Sequence, residues 1–315
     1  MKKSINKILA AFAIIATLFA FSASAFAAQS LQALTQAANK GNVNAMYELA
    51  KKYDEQWDRL KAAQWYRKAA DKGHAKSMAA LGCMFIDGSL GNRDLDTAKK
   101  WGRKAVACGY VDGLYDLAVS FGRQSLYKKE AEDIYVLLEE AANKGSANAM
   151  FYLAAWSTGQ KPGDSNTSSF PRDVKRGGLY TIDMYKRAIA KGSVEACMSL
   201  AETYENGVYG IGLKQNGKEA LQWYKKATDM CKKAAEVRSE DIISSYQIAS
   251  LYFEGENGVK KDLKEANKWA LIAQTKMKKY RGSEINSFHY PYLHSWIDSL
   301  LASIDKELAV EQLKK

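Results

Sequence analysis

Proline is nearly missing from this chain of 315 residues: only Pro162, Pro171 and Pro291 occur. So few helix breakers among a surplus of helix formers argue against a strand-and-turn architecture, and an all-α protein is expected. Histidine is as scarce, with three residues, and cysteine contributes four. That leaves little material for a metal centre, and neither a metal nor a cofactor is expected. Acidic residues are in deficit, 35 against 46 lysines and arginines, for a formal charge of +11. A basic surface favours acidic partners such as anionic polymers, lipid headgroups or acidic proteins.

Long apolar runs are confined to the N-terminus. Lys2, Lys3 and Lys7 precede a 14-residue apolar run from Ile8 to Phe21, and Ala25-Phe26-Ala27 supplies a small-x-small cleavage pattern. The run is well short of the roughly 20 residues that span a bilayer. A signal peptide over 1–27 is expected, with the mature chain starting at Ala28 and placed in the periplasm or the medium. Loss of the three leader lysines leaves +8. Export removes nucleic acid from the expected partners. No later stretch is apolar enough to cross a membrane, so the mature chain is expected to be soluble.

What is abundant is repetition. "QWYRKAADKG" (64–73) returns as "KWGRKAVACG" (100–109) and "QWYKKATDM" (222–230). With Trp65 as anchor, the equivalents are Trp101, Leu137, Met184, Trp223 and Trp269, at intervals of 36, 36, 47, 39 and 46. Ala69, Ala105, Ala141, Ala188, Ala227 and Ala273 follow four residues after. Gly73, Gly109, Gly145 and Gly192 follow eight after, where a left-handed residue ends a helix. Asp58, Asp94, Glu130, Asn216 and Asp262 stand seven before, mostly good N-caps. The phrase is a complete helix with start and stop signals, and each Trp is expected to pack between helices.

A second phrase precedes it in every unit, centred on Leu49, Leu81, Leu117, Leu153, Leu200 and Ile248. A small residue (Ala45, Ser77, Gly113, Ala149, Ala196, Ser244) stands four before, and an aromatic stands four after in five of the six units. That spacing makes one helical stripe along which a neighbouring helix can approach closely. From each of the first four anchors to the next unit's Leu is 16 residues, whereas Trp223 to Ile248 is 25. The second helix of the fifth unit is therefore expected to run on, by up to about 13 Å if all the extra residues are helical.

These units resemble the Sel1-like repeat family, relatives of the tetratricopeptide repeats. The resemblance is clearest in "LYFEGENGVKKDLKEANKWALIA" (251–273), "LGCMFIDGSLGNRDLDTAKKWGRKA" (81–105) and "GIGLKQNGKEALQWYKKA" (210–227), and weakest in repeats three and four. It implies an α/α solenoid (superhelix) of about six helical hairpins over 28–275, closed by a C-terminal cap over 276–315. Within the cap, an amphipathic helix is expected from about Tyr292 to Leu313.

The resemblance also implies non-enzymatic scaffold or adaptor work through protein–protein contact, in the cell envelope or secreted. An alternative is a binder of anionic envelope polymers, peptidoglycan or lipopolysaccharide. A third reading is a β-lactamase-like hydrolase, because some cysteine-rich secreted members of the family are linked to β-lactams. The paired cysteines of those members are absent here. Ser125 and Lys128 match a Ser-x-x-Lys pattern, but no companion SDN or KTG box follows, and catalysis is not expected of them.

His74 follows a helix-ending glycine, where the other units carry Asn42, Tyr110, Ser146 and Ser193, and reads as a variable surface position. His289 and His294 are five apart with Pro291 between, unlike the four-residue spacing of zinc ligands on a helix. Cys197 occupies a core slot and Cys108 a surface one, and Cys83, Cys108, Cys197 and Cys231 are expected as free thiols. The polar stretch 157–178 is expected to protrude as a loop, and "KMKKYRG" (276–282) to be a solvated helix end.

Overall fold

The computed structural model describes residues 31–124, 131–158, 177–232, 238–280 and 292–313. Residues 1–27, expected as a leader, together with Ser125, Lys128, Glu130, most of the 157–178 stretch and His289, lie outside them. The described residues form two compact units, divided between Gln124 and Ser125.

The first unit contains α1 (31–39), α2 (Val43–Glu55), α3 (Arg59–Asp71), α4 (Ala75–Ile86), α5 (Leu95–Ala107) and α6 (Gly113–Gln124). The second contains α7 (Ala131–Asn143), α8 (Ala147–Thr158), α9 (Gly177–Ala190), α10 (Val194–Asn206), α11 (Gly217–Cys231), α12 (Ser239–Glu254), α13 (Leu263–Lys279) and α14 (Leu293–Leu313). A single 3-10 turn, Tyr209–Ile211, follows α10. The fold is all-α. Within each unit, hairpins such as α2/α3, α4/α5, α10/α11 and α12/α13 stack in succession, as in an α/α solenoid.

The helices begin and end where the local chemistry directs. Asp58, Asp94, Asn216 and Asp262 each accept a hydrogen bond from a backbone N–H in the first turn of α3, α5, α11 and α13. Gly73, Gly109, Gly145 and Gly192 all take positive φ, between 87° and 98°. At Gly73, for example, Gly73 N–H donates to Ala70 O and His74 N–H to Ala69 O, the paired bonds of a Schellman stop.

The repeat positions build the core. Leu49, Leu81, Leu117, Leu153, Leu200 and Ile248 are all buried, and the six alanines four after each anchor are 0% exposed. The small residues allow the contact they were expected to allow. A Cβ added to Gly113 would come within 2.8 Å of the Ala105 Cβ, so α6 rides directly on α5. Trp101 is buried, but the other anchor tryptophans are shallower than their neighbours. Trp65, Trp223 and Trp269 are half-buried, while Tyr66, Tyr185 and Tyr224, the residues after the anchors, lie in the core.

Two expectations are met only in part. Helix α11 ends at Cys231, two residues further past its anchor than α3, and α12 starts three residues earlier relative to Ile248 than α4 does relative to Leu81. Two of the extra residues thus extend α11 and three lengthen the start of α12, while 233–237 between them lie outside the described residues. At the basic end of α13, Lys278 and Lys279 are exposed, but Lys276 is not a solvated cation. Its Nζ donates to Asp241 Oδ1 at 2.6 Å and to Ser245 Oγ at 3.0 Å, joining α13 to α12. Helix α14 closes the second unit with the buried stripe Leu293, Ile297, Leu300 and Ile304, the last two against Ala249, Ala266 and Ala270.

Candidate functional site

The connection between α2 and α3 carries the most unusual residue of the first unit. Gln56 caps α2, Trp57 N–H donates to Asp54 O at 3.0 Å and Asp58 N–H to Tyr53 O at 2.9 Å. This is the same hydrogen-bond pattern that ends α3 at Gly73, and it demands a left-handed residue. Here that residue is tryptophan, with φ of 62°. A side chain in this conformation costs about 1 kcal/mol that glycine avoids. The indole gains no burial in return, since Trp57 is 79% exposed.

The surroundings hold the ring in place. The Arg59 guanidinium lies 4.9 Å from the Trp57 ring centroid and pairs with Asp54. Leu60, one residue further, is 68% exposed. The charges around this apolar tip cancel in pairs: Arg59 with Asp54, Lys61 with Asp58 at 2.8 Å, and Lys52 with Glu55 at 2.8 Å. The result is an aromatic and aliphatic knob on an electrically balanced rim.

The hairpins themselves identify the family. A Sel1 repeat model matches residues 43–74, 75–110, 194–230 and 242–273, which are α2/α3, α4/α5, α10/α11 and α12/α13. The chain is a Sel1 repeat protein. The unmatched stretch is that of repeats three and four, where the resemblance is weakest in the sequence. Sel1 repeats generally mediate protein–protein interaction. Similar solved structures include a Sel1 repeat protein from Oxalobacter formigenes, 23% identical over 78% of this chain and 99% of that one, with a TM-score of 0.44. Another is c5321, a protective antigen of uropathogenic Escherichia coli strains, 17% identical over 91% and 77%, with a TM-score of 0.34. A third is the immunity protein Pa5087 from Pseudomonas aeruginosa, 18% identical over 84% and 83%, with a TM-score of 0.38.

Against this Sel1 framework, most residues that the sequence singled out have local roles. His74 is a half-buried N-cap rather than a variable surface position. Its Nδ1 accepts from Ser77 N–H at 3.2 Å, and its ring stacks 4.7 Å from Tyr47. Asn42, Ser146 and Ser193 do the same work with their side-chain oxygens. Burial, with Lys76 nearby, pushes the His74 pKa below its ordinary value. His294 pairs with Asp298 at 3.2 Å on the exposed side of α14. Among the described residues, no group of three or more His, Cys, Asp and Glu side chains could hold a metal ion.

The four cysteines are free thiols. Cys197 is buried and donates to Trp223 O at 3.2 Å, and burial pushes its thiol up to about 12. Cys231 is pushed up to about 11 and Cys83 to about 12 by the same cause, while Cys108 is exposed at the end of α5. High thiol pKa values disfavour the reactive thiolate, so these three are packing residues.

Trp57 was not legible from the repeat, because it lies outside the repeated phrases. A signal did exist. The turn "EQWDR" (55–59) ends a helix without a glycine, in the hairpin with the shortest spacing between Leu and anchor, 16 residues.

Proposed function

We propose that this protein is a non-enzymatic interaction scaffold, exported to the periplasm or the medium, which seats Trp57 and Leu60 in an apolar pocket of a partner protein. One observation carries the proposal: a tryptophan occupies a glycine position, at a cost in backbone strain, and is left facing solvent. Strain kept at a position where it adds no stability points to function. Tryptophan is also among the residues that dominate binding energy when buried in an interface. The paired charges of the rim favour a protein surface over an anionic polymer, because Lys52, Arg59 and Lys61 already have carboxylate partners.

Affinity capture with in-cell cross-linking tests this, using the chain from Ala28 onward and its Trp57→Gly variant as baits. The expected result is one dominant protein captured by the wild type and lost by the variant, with both baits folded. Equal capture by the two baits would remove Trp57 from the contact. Salt-labile capture of wall polymer, with no specific protein, would replace the scaffold reading with polymer binding.

A further inference from the structure

Four helices of the second unit converge on an open groove of about 450 Å³. Its floor is apolar, made by Leu221 of α11, Tyr252 of α12 and Val259 of the turn leading to α13. The walls are cationic, with Lys218 from α11, Lys260 and Lys261 from the turn, and Lys264 from the first turn of α13. Glu311 of α14 also lines it.

The groove is rigidly built. Gly217 N–H donates to Asn257 O at 2.8 Å, and a Cβ on Gly217 would come within 3.0 Å of both Asn257 O and Val259 Cγ2. The start of α11 is therefore clamped to the turn that forms the opposite wall. Lys261 is fixed by Glu307 at 2.6 Å and by the Phe253 ring, 5.0 Å from its Nζ. Lys225 Nζ donates to the Tyr252 hydroxyl at 2.8 Å.

The charges here do not cancel as they do around Trp57. Lys261 is taken up by Glu307, and Asp262 by capping, its Oδ1 accepting from the N–H groups of Lys264 and Glu265. Lys218, Lys260 and Lys264 have no ion pair among the described residues, with Glu311 the one lining carboxylate not already engaged. Three cations around an apolar floor fit a ligand that offers carboxylates beside an apolar side chain. A polysaccharide supplies the first but carries no Leu- or Phe-sized side chain.

We infer that this groove binds an acidic segment of a partner protein, with Asp or Glu side chains against Lys218, Lys260 and Lys264 and one Leu- or Phe-sized side chain on the floor. The inference rests on the protein-binding reading for the kind of occupant, and its residues are separate from Trp57.

The probe is a fluorescein-labelled peptide, Glu-Asp-Leu-Glu-Phe-Asp, titrated with the chain from Ala28 onward and followed by anisotropy. Binding is expected to weaken about tenfold or more in a Lys218→Glu/Lys264→Glu variant and to weaken with added salt. An analogue with Gln and Asn in place of the acids is expected not to bind. Circular dichroism establishes that the variant is folded, and Lys218→Ala/Lys264→Ala, expected to weaken binding less, guards against a reversal that distorts the groove. No binding by the wild type, or equal binding by the charge-reversed protein, would overturn the proposal. So would equally tight binding of polyglutamate, which lacks the apolar side chain. Trp57→Gly is expected to bind the peptide like the wild type, so the first contact and this one can fail independently.

Discussion

Trp57 and Glu205 show opposite ways in which one residue can sit against stability. At Trp57 the cost lies in the backbone, and replacement by glycine removes it together with the Arg59 stacking contact. The two losses are of similar size, so Trp57→Gly is expected to stay within about 1 kcal/mol of the wild type in urea denaturation. At Glu205 the cost is electrostatic. Burial raises its carboxyl above the ordinary 4.5, while the Tyr224 hydroxyl, donating at 2.7 Å, works the other way. Asp116 is likewise raised by burial above 3.8. A raised carboxyl pKa means that the folded chain binds the proton more tightly than the unfolded chain. Its contribution is therefore fully present below the ordinary value and lost as pH rises through the folded one. Glu205→Gln is expected to flatten that fall, measured as unfolding free energy from about pH 4 to about pH 8.

Between elements, the Asp241–Lys276 pair does more than a surface ion pair could. The side chains are 10% and 20% exposed, and the pair links α12 to α13 across the sixth hairpin. Lys276→Met should cost roughly 2–3 kcal/mol, at or just below the range for fully buried pairs, because it leaves Asp241 without its cation. Adding Asp241→Asn should recover part of that loss. A double-mutant cycle by urea denaturation measures the coupling, and a value near zero would make the pair incidental.

At the scale of the whole molecule, the second unit is a chain of near-neighbour contacts. Helix α12 packs chiefly on α13 and α11, and lightly on α10 and α14. Ile248 is fully buried in that set, and Ile248→Ala should cost about 2–5 kcal/mol. In an array of this kind the loss stays near its origin. Faster amide exchange is expected in α11, α12 and α13, with α7 and α8 close to the wild type. Uniform acceleration across α7 to α14 would instead show a single cooperative block. The two candidate contacts also divide by charge, a neutral apolar knob in the first unit and a cationic groove in the second.

The sequence by itself determined the hairpin register, the caps at Asp58, Asp94, Asn216 and Asp262, the glycine stops and the buried leucine rows. Each of these is set by residues within a turn or two of one another, where spacing along the chain equals spacing in the helix. The tertiary structure decided the rest. It left Trp57 in solvent, packed the His74 ring against Tyr47 and drew Lys276 into the α12 contact. It also gathered Lys218, Lys260 and Lys264, which come from two hairpins, around one floor. Burial and pairing of that kind depend on which segments meet in space, and no local pattern encodes it.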